Sequence, residues 1–310
     1  MNKVLSYYED ALKIKKGIFP VPRMAVIYPT YICNYRCSHC MYENMKYSKQ
    51  NYPLDNLKRL VDELADIGVK AVVFCGGGES MMYPHFSEIL GYISSKKLEF
   101  GIISNGSLLN KYYKQLVDNS RFIRITCDSV EKEKYDKIHC PPKHITLDDI
   151  IESIRVAVEY RNKSNNRCAI GVKSLISTYN IHEKANIENV FKKIGVDYVH
   201  FKEARKCKGE LDGLPGVVIN HKCFMSPIQT MIDAYGDVYV CSFYQYRLAG
   251  HKYGNVLNKP FREVWYSKEH SEAIENIKME ECRKYECKLN GYNDVMHKIL
   301  NQDPEHINFF

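Results

Sequence analysis

The sequence has few of the features that mark exported, membrane or nucleic-acid-binding proteins. No run of about 18 apolar residues occurs, and no charged start followed by an apolar stretch and a small-residue cleavage site stands at the N-terminus. Long basic runs are also absent. The formal net charge of +7 comes from basic and acidic residues that are interleaved along the chain. These absences predict a cytoplasmic protein with no membrane and no nucleic acid among its partners. The positive charge is compatible with an anionic small molecule.

The chain is nevertheless rich in cysteine, with 12 among 310 residues. Without an export signal, so many thiols favour metal or redox chemistry over disulfides. A hydrophobic content of 45% is enough for one large core, or for a main domain with a small appended module.

Apolar stretches and stretches with helical periodicity alternate from residue 24 to residue 201. The predicted strands are residues 24–28, 71–74, 100–103, 122–126, 169–172 and 198–201. Helical stretches between strands are typical of a parallel sheet with helical crossovers. Six such units predict an α/β fold, a partial (β/α)6 barrel whose working edge is formed by the C-terminal ends of its strands.

Three parts are predicted along the chain. Residues 1–23 form an N-terminal helical segment, residues 24–206 form the barrel, and residues 207–310 form a smaller module. This module starts with a glycine-rich loop and continues into a β-hairpin over residues 229–240, with Gly236 and Asp237 at its turn.

Three cysteines, Cys33, Cys37 and Cys40, stand in one short loop after the first predicted strand. Three thiolates can bind three irons of a [4Fe-4S] cluster and leave the fourth iron open to a ligand. Zinc would require a fourth local ligand. The remaining alternative is a set of buried cysteines on a helix face.

Short polar motifs follow the later strands. They are Gly77-Gly78-Glu79, Ser104-Asn105-Gly106, Thr126-Cys127-Asp128-Ser129, Lys173-Ser174, and the pair Glu203 and Arg205. Glycines let a ligand approach the backbone closely, and a carboxylate can pair with an ammonium group. Ordinary turns, helix caps and surface ion pairs are the alternatives for these motifs.

The cysteine loop followed by Gly-Gly-Glu resembles the radical S-adenosylmethionine (SAM) superfamily over about residues 24–205. The resemblance implies a SAM-binding [4Fe-4S] cluster on the three cysteines and a site for the SAM amino group at Gly77, Gly78 and Glu79. His39, at a position where Tyr, Phe or Trp is more usual, would lie against the adenine. The other contacts that the resemblance implies are made by Ser104, Asn105, Asp128 and Lys173.

Four later cysteines have a spacing of their own. Cys223 and Cys241 flank the predicted hairpin, and Cys282 and Cys287 follow near the C-terminus. This pattern resembles the twitch module, the shortened relative of the SPASM extension, and implies a second, auxiliary [4Fe-4S] cluster. Because the tail pair is spaced more widely than CxxC, Cys207 is an alternative ligand. Structural zinc and plain buried thiols remain alternatives.

The resemblance implies an enzyme in which a 5′-deoxyadenosyl radical removes a substrate hydrogen. The predicted outcome is oxidation of an anionic or polyhydroxylated small molecule, as in dehydrogenases of the 2-deoxy-scyllo-inosamine type. The auxiliary cluster would accept the electron, flavodoxin or ferredoxin would supply reducing electrons, and Glu203 or Arg205 would assist deprotonation. One alternative is epimerisation or rearrangement, in which Cys75, Cys127 or a tyrosine returns a hydrogen. The others are peptide modification and a non-catalytic iron-sulfur carrier or sensor.

Overall fold

The structure is a computed structural model that describes residues 6–42, 48–203, 222–242, 251–284, 287 and 289–301. Its strands are β1 (Met24–Ile27), β2 (Ala71–Phe74), β3 (Glu99–Ser104), β4 (Phe122–Thr126), β5 (Ala169–Ile176), β6 (Tyr198–Glu203), β7 (Gln229–Ile232), β8 (Asp237–Tyr239) and β9 (Lys252–Asn255). Its α-helices are α1 (Tyr8–Lys15), α2 (Leu54–Ile67), α3 (Phe86–Ser95), α4 (Leu109–Asn119), α5 (Lys132–His139), α6 (Leu147–Lys163), α7 (Lys184–Ile194), α8 (Phe261–Trp265), α9 (Lys268–Glu275), α10 (Met279–Lys284) and α11 (Asn290–Leu300).

The strands form one sheet in the order β6-β5-β4-β3-β2-β1-β7-β8-β9. The six strands from β1 to β6 pair with their neighbours in parallel, and a helix lies between each of them and the next. The predicted α/β class and the partial (β/α)6 barrel are therefore confirmed. Gly68 ends α2 with a positive φ of 100°, the left-handed conformation that a glycine at a helix C-terminus commonly adopts.

The predicted hairpin is present, but it extends the barrel sheet instead of forming a separate sheet. Strand β7 pairs in parallel with β1, with Met24 opposite Gln229 and Ile27 opposite Ile232, and β8 and β9 continue antiparallel. Pairing with β7 covers a strand edge of β1 that would otherwise be open. The predicted boundary at residues 206 and 207 lies outside the described residues and stays a prediction.

Residues alternate between the two faces of the sheet, and the two faces pack differently. On β1, Ala25 and Ile27 belong to the main hydrophobic core with the helices. Val26 and Tyr28 point to the inner face, where they pack with Met231 of β7. The inner face of the partial barrel is therefore the side on which ligand-binding residues are expected.

The first and the last described helices pack against each other. In α1, Ala11 packs with Met296 and Leu300 of α11. The single tryptophan, Trp265, is fully buried and donates its indole N–H to Pro20 O at 2.9 Å. The segment before β1 is thus attached to the C-terminal part of the protein. Among the described residues, no helix is both long and apolar enough to cross a membrane.

Candidate functional site

The cysteine loop follows β1 and is held against the end of α5. Ser38 N donates to Ile138 O at 2.8 Å. The hydroxyls of Tyr35 and Tyr135, both buried, lie 2.9 Å apart. Helix α5 follows the C-terminal end of β4 in the chain. These bonds therefore place the cysteine loop near the C-terminal ends of the strands.

The three thiols of this loop fit a metal cluster. Cys33, Cys37 and Cys40 are all partly exposed. Cys33 Sγ accepts a hydrogen bond from Tyr35 N at 3.4 Å, and Cys37 Sγ lies 3.6 Å from His139 Nδ1. A thiolate bound to iron is a good acceptor for such N–H groups, whereas a neutral thiol is a weak one. The donor set therefore fits a [4Fe-4S] cluster with one open iron.

The Gly-Gly-Glu loop lies directly against the chain that enters the cysteine loop. Gly78 N donates to Thr30 O at 2.9 Å, and Glu79 N donates to Ile32 O at 2.8 Å. A Cβ atom on Gly78 would lie 2.1 Å from Ile32 O, and Gly77 has a positive φ of 72°. Both glycines are therefore required by the close approach of the two segments. Their predicted contact with SAM fits this placement and stays a prediction.

The carboxylate of Glu79 joins the ends of β2 and β3. It is 2% exposed and accepts hydrogen bonds from Met81 N at 3.1 Å, Ser104 Oγ at 2.9 Å and Asn105 N at 2.8 Å. Burial raises the pKa of Glu79, and these three bonds oppose the increase. The predicted pairing of this carboxylate with the SAM amino group stays a prediction. In the structure, Glu79 and Ser104 position the two loops.

We expect Glu79→Gln to lower the free energy of unfolding by about 1–3 kcal/mol. Two of the three groups that bond to the carboxylate are backbone N–H donors, and a glutamine would turn its NH2 group towards one of them. Urea unfolding measures the change, with Glu88→Gln as the control because the Glu88 side chain is 50% exposed. Equal stability of the two variants would contradict the positioning role.

Two asparagines connect the cysteine loop to the end of β3. Asn105 Nδ2 donates to Asn34 Oδ1 at 3.0 Å, and Asn34 Nδ2 donates to Ser107 Oγ at 3.0 Å. Asn105 is partly exposed, so its predicted contact with SAM remains compatible with the structure. Asn34 was not predicted, although an amide between two cluster cysteines was a visible signal.

His39 and Asp128 form a contact that the sequence did not predict. His39 Nε2 lies 3.2 Å from Asp128 Oδ2, and Leu175 N donates to Asp128 Oδ1 at 2.6 Å. Burial raises the pKa of Asp128, but His139, His39 and the Leu175 N–H outweigh burial and lower it. Asp128 is fully buried and its carboxylate lies against His39, while its predicted contact with SAM stays a prediction. The adenine contact of His39 stays a prediction.

Three basic side chains occupy the inner face of β4, β5 and β6. Lys173 is opposite His200, and Arg124, opposite Gly171, donates from Nε to Tyr198 OH at 3.2 Å. Burial, and then the positive charges of Arg124 and Lys173, lower the pKa of His200. The sequence predicted Lys173 but missed Arg124 and His200. Only the strand register brings these three residues together.

The two candidate hydrogen donors have different environments. Cys127 is fully buried, its thiol donates to Ser129 O at 3.3 Å, and burial raises its pKa. The prediction that Cys127 faces the substrate is wrong, because this residue shares the outer, core-facing side with Ile125. Cys75 is partly exposed and packs with Tyr28 and the other inner-face residues. Its role as a hydrogen donor stays a prediction.

The remaining predicted catalytic residues follow β6. Glu203 is the last residue of that strand. Arg205, like the alternative cluster ligand Cys207, lies outside the described residues. The roles predicted for these residues stay predictions.

The four C-terminal cysteines are all partly exposed. Cys223, Cys241 and Cys282 pack on the same hydrophobic core as Cys33 and Cys37. Cys287 Sγ accepts a hydrogen bond from Leu289 N at 3.4 Å, two residues ahead, as Cys33 Sγ does from Tyr35 N. This repeated N–H to sulfur contact fits thiolate ligands of a second iron-sulfur cluster.

Two family models match the chain. The radical SAM superfamily matches residues 27–177, and the SPASM iron-sulfur cluster-binding domain matches residues 223–288. The first range contains the cysteine loop and the Gly-Gly-Glu loop. The second contains all four C-terminal cysteines.

Individual proteins are similar over parts of the chain. The antilisterial bacteriocin subtilosin biosynthesis protein AlbA of Bacillus subtilis is 31% identical over 121 residues, which are 38% of this chain and 27% of AlbA. The chain thus spans well under two thirds of the length of this curated relative. Streptococcus suis SuiB bound to precursor peptide SuiA has a TM-score of 0.61 at 15% identity, covering 88% of this chain and 71% of SuiB. BtrN in complex with AdoMet and 2-DOIA has a TM-score of 0.52 at 15% identity, covering 86% of this chain and 89% of BtrN.

The structural neighbours support the fold, and the two matched families account for both groups of cysteines. The chain belongs to the radical SAM superfamily and carries a C-terminal SPASM domain, with SAM and two [4Fe-4S] clusters as its cofactors.

Proposed function

We propose that this enzyme oxidises a hydroxylated small molecule that carries an anionic group, such as a carbohydrate or aminocyclitol derivative. The observation that carries the proposal is the common core on which both cysteine groups pack. Because β7 pairs directly with β1, the auxiliary site belongs to the wall of the barrel. A second cluster in the wall of the same barrel suits transfer of one electron from a substrate radical to it.

The oxidation removes two hydrogens from the substrate. When bound, the SAM-binding cluster and SAM supply a 5′-deoxyadenosyl radical that takes one hydrogen atom, and the auxiliary cluster supplies an acceptor for one electron. A proton leaves from the hydroxyl group at the same carbon, so a ketone results. Glu203 and Arg205 remain the candidates for assisting that proton. Reduced flavodoxin or ferredoxin is the proposed source of the electron that starts the reaction.

The inner face supports an anionic substrate. Arg124 lies beside the ring of Tyr198, 5.6 Å from its centroid, and Lys173 and His200 lie one level nearer the C-terminal ends of the strands. A guanidinium, an ammonium and an imidazole together suit a phosphate or a carboxylate. They would orient the substrate below the SAM site.

Peptide modification is the second candidate. It is favoured by the similarity to AlbA, a bacteriocin biosynthesis protein, and by the fold shared with SuiB, which was solved with its precursor peptide. Epimerisation, with Cys75 returning a hydrogen atom, is a further alternative. It would leave no net electron for the auxiliary cluster.

Substrate-dependent formation of 5′-deoxyadenosine tests these alternatives. The reduced enzyme is incubated with SAM and with either the small-molecule fraction or the peptide fraction of a cell extract, in D2O. We expect the small-molecule fraction to increase the rate and its product to lose two hydrogens. Stimulation by the peptide fraction would favour peptide modification, and an unchanged composition with deuterium at carbon would favour epimerisation.

Arg124→Gln tests the proposed anion contact within the same assay. Once a stimulating compound is found, we expect this variant to raise its KM about tenfold or more, corresponding to the loss of one charged hydrogen bond. Arg121→Gln is the matched control, because Arg121 lies on the surface with its side chain 67% exposed. An equal KM for both variants would contradict the proposed role of the inner face.

A further inference from the structure

His139 is buried at the C-terminal end of α5, between the end of β4 and the cysteine loop. It is 1% exposed. Its Nε2 atom accepts a hydrogen bond from Asp128 N at 3.0 Å, and its Nδ1 atom lies 3.6 Å from Cys37 Sγ. The ring thus connects a backbone amide on one side with a cluster ligand on the other.

These two contacts determine which ring nitrogen carries the proton. A backbone N–H can only donate, so Nε2 must be the acceptor and a neutral ring has its proton on Nδ1. The carboxylate of Asp128 is a weaker competitor for an Nε2 proton, because its Oδ2 atom lies farther away, at 3.5 Å. A cluster-bound Cys37 sulfur has no proton to donate and can only accept. Both sides of the ring therefore require the same tautomer.

We propose that His139 donates an Nδ1–H hydrogen bond to the Cys37 thiolate and thereby raises the reduction potential of the SAM-binding cluster. Reduction adds negative charge to the cluster sulfurs, so a donor at one of them stabilises the reduced form more than the oxidised form. His139 is a positioning residue in this proposal, since it touches the ligand and neither SAM nor substrate. The proposal does not depend on which substrate the enzyme oxidises.

The location of His139 also connects the cluster to the SAM site. Asp128, whose backbone N–H orients His139, has its carboxylate 3.2 Å from His39 Nε2. The rings of His39 and His139 have their centroids 6.2 Å apart. One residue at the end of β4 thus orients both the donor to Cys37 and the histidine next to Cys40.

An EPR-monitored redox titration of the reconstituted full chain tests the proposal. At a fixed solution potential we expect His139→Phe to lower the ratio of reduced to oxidised SAM-binding cluster about tenfold, a shift of about 59 mV for a one-electron couple. His139→Gln keeps an N–H donor and is expected to recover most of the ratio. His85→Phe is the control, because the His85 side chain is 49% exposed and pairs with Glu88 of α3.

Pulsed EPR of the wild-type protein provides a test that needs no variant at position 139. With 15N-labelled histidine, we expect the reduced SAM-binding cluster to show a nitrogen coupling that persists in His39→Asn. Absence of that coupling, or an unchanged potential in a His139→Phe protein with full iron content, would overturn the proposal. If His139→Phe binds no cluster, the coupling in the wild-type protein decides the question.

Discussion

Simultaneous replacement of Cys33, Cys37 and Cys40 by alanine is expected to reduce the iron content from about eight to about four per chain and to abolish SAM cleavage. These cysteines provide every protein ligand proposed for the SAM-binding cluster, and the auxiliary site uses other residues. The measurement is anaerobic iron and sulfide analysis with EPR, followed by chromatography for 5′-deoxyadenosine.

A double variant of Cys140 and Cys168 to alanine is the control for this experiment. Cys140 is exposed and Cys168 is buried, and neither has a proposed ligand role. The control is expected to keep its iron and its SAM cleavage. Loss of all iron from the triple variant while the wild type holds only about four irons would show that the C-terminal cysteines bind no cluster. The oxidation proposed here would then be replaced by epimerisation or rearrangement.

Replacing Cys223 and Cys241 together is expected to separate SAM cleavage from product formation. This variant should lose about four irons and still form 5′-deoxyadenosine without substrate, because the cysteine loop and the Gly-Gly-Glu loop are unchanged. Oxidised product should fall to background, since the electron from the substrate would have no acceptor. Iron analysis and product chromatography on one sample measure both effects.

The ligand set of the auxiliary cluster is resolved by two single variants compared with this one. Cys287→Ala should lose the cluster if Cys287 is a ligand, and Cys207→Ala should lose it if Cys207 is. Full product formation by the double variant of Cys223 and Cys241 would contradict the role of the auxiliary cluster as electron acceptor. Both single variants are read by the same iron analysis.

Much of the site was accessible from the sequence because its residues are close together in the chain. Cys33, Cys37 and Cys40 fall within eight residues, and Gly77 to Glu79 are consecutive. The spacing of such residues along the chain is enough to predict the kind of site they form. By contrast, Arg124 and His200 are 76 positions apart, as their residue numbers show, and no local pattern connects them. His139 and Asp128 are likewise separated by a loop and by α5, and the sequence predicted no contact between them.

The prediction that Cys127 faces the substrate failed for a reason that the side-chain alternation of a strand explains. Cys127 follows the last residue of β4 and continues its outer face, so its thiol enters the core. Asp128 comes next, and its carboxylate accepts a hydrogen bond from Leu175 N and lies 3.2 Å from His39 Nε2. The sequence predicted that these residues end a strand, but the direction of each side chain depended on the packing of the neighbouring strands.

The sequence by itself determined the fold class, the two cysteine groups and the superfamily, because these follow from local periodicity and short spacings. Only the tertiary structure decided that β7 joins the barrel beside β1, that Glu79 and Asp128 bond to protein groups, and that His139 faces Cys37. Each of these contacts depends on strand order and register, which arise from packing of distant segments and are not encoded in any one stretch of the chain.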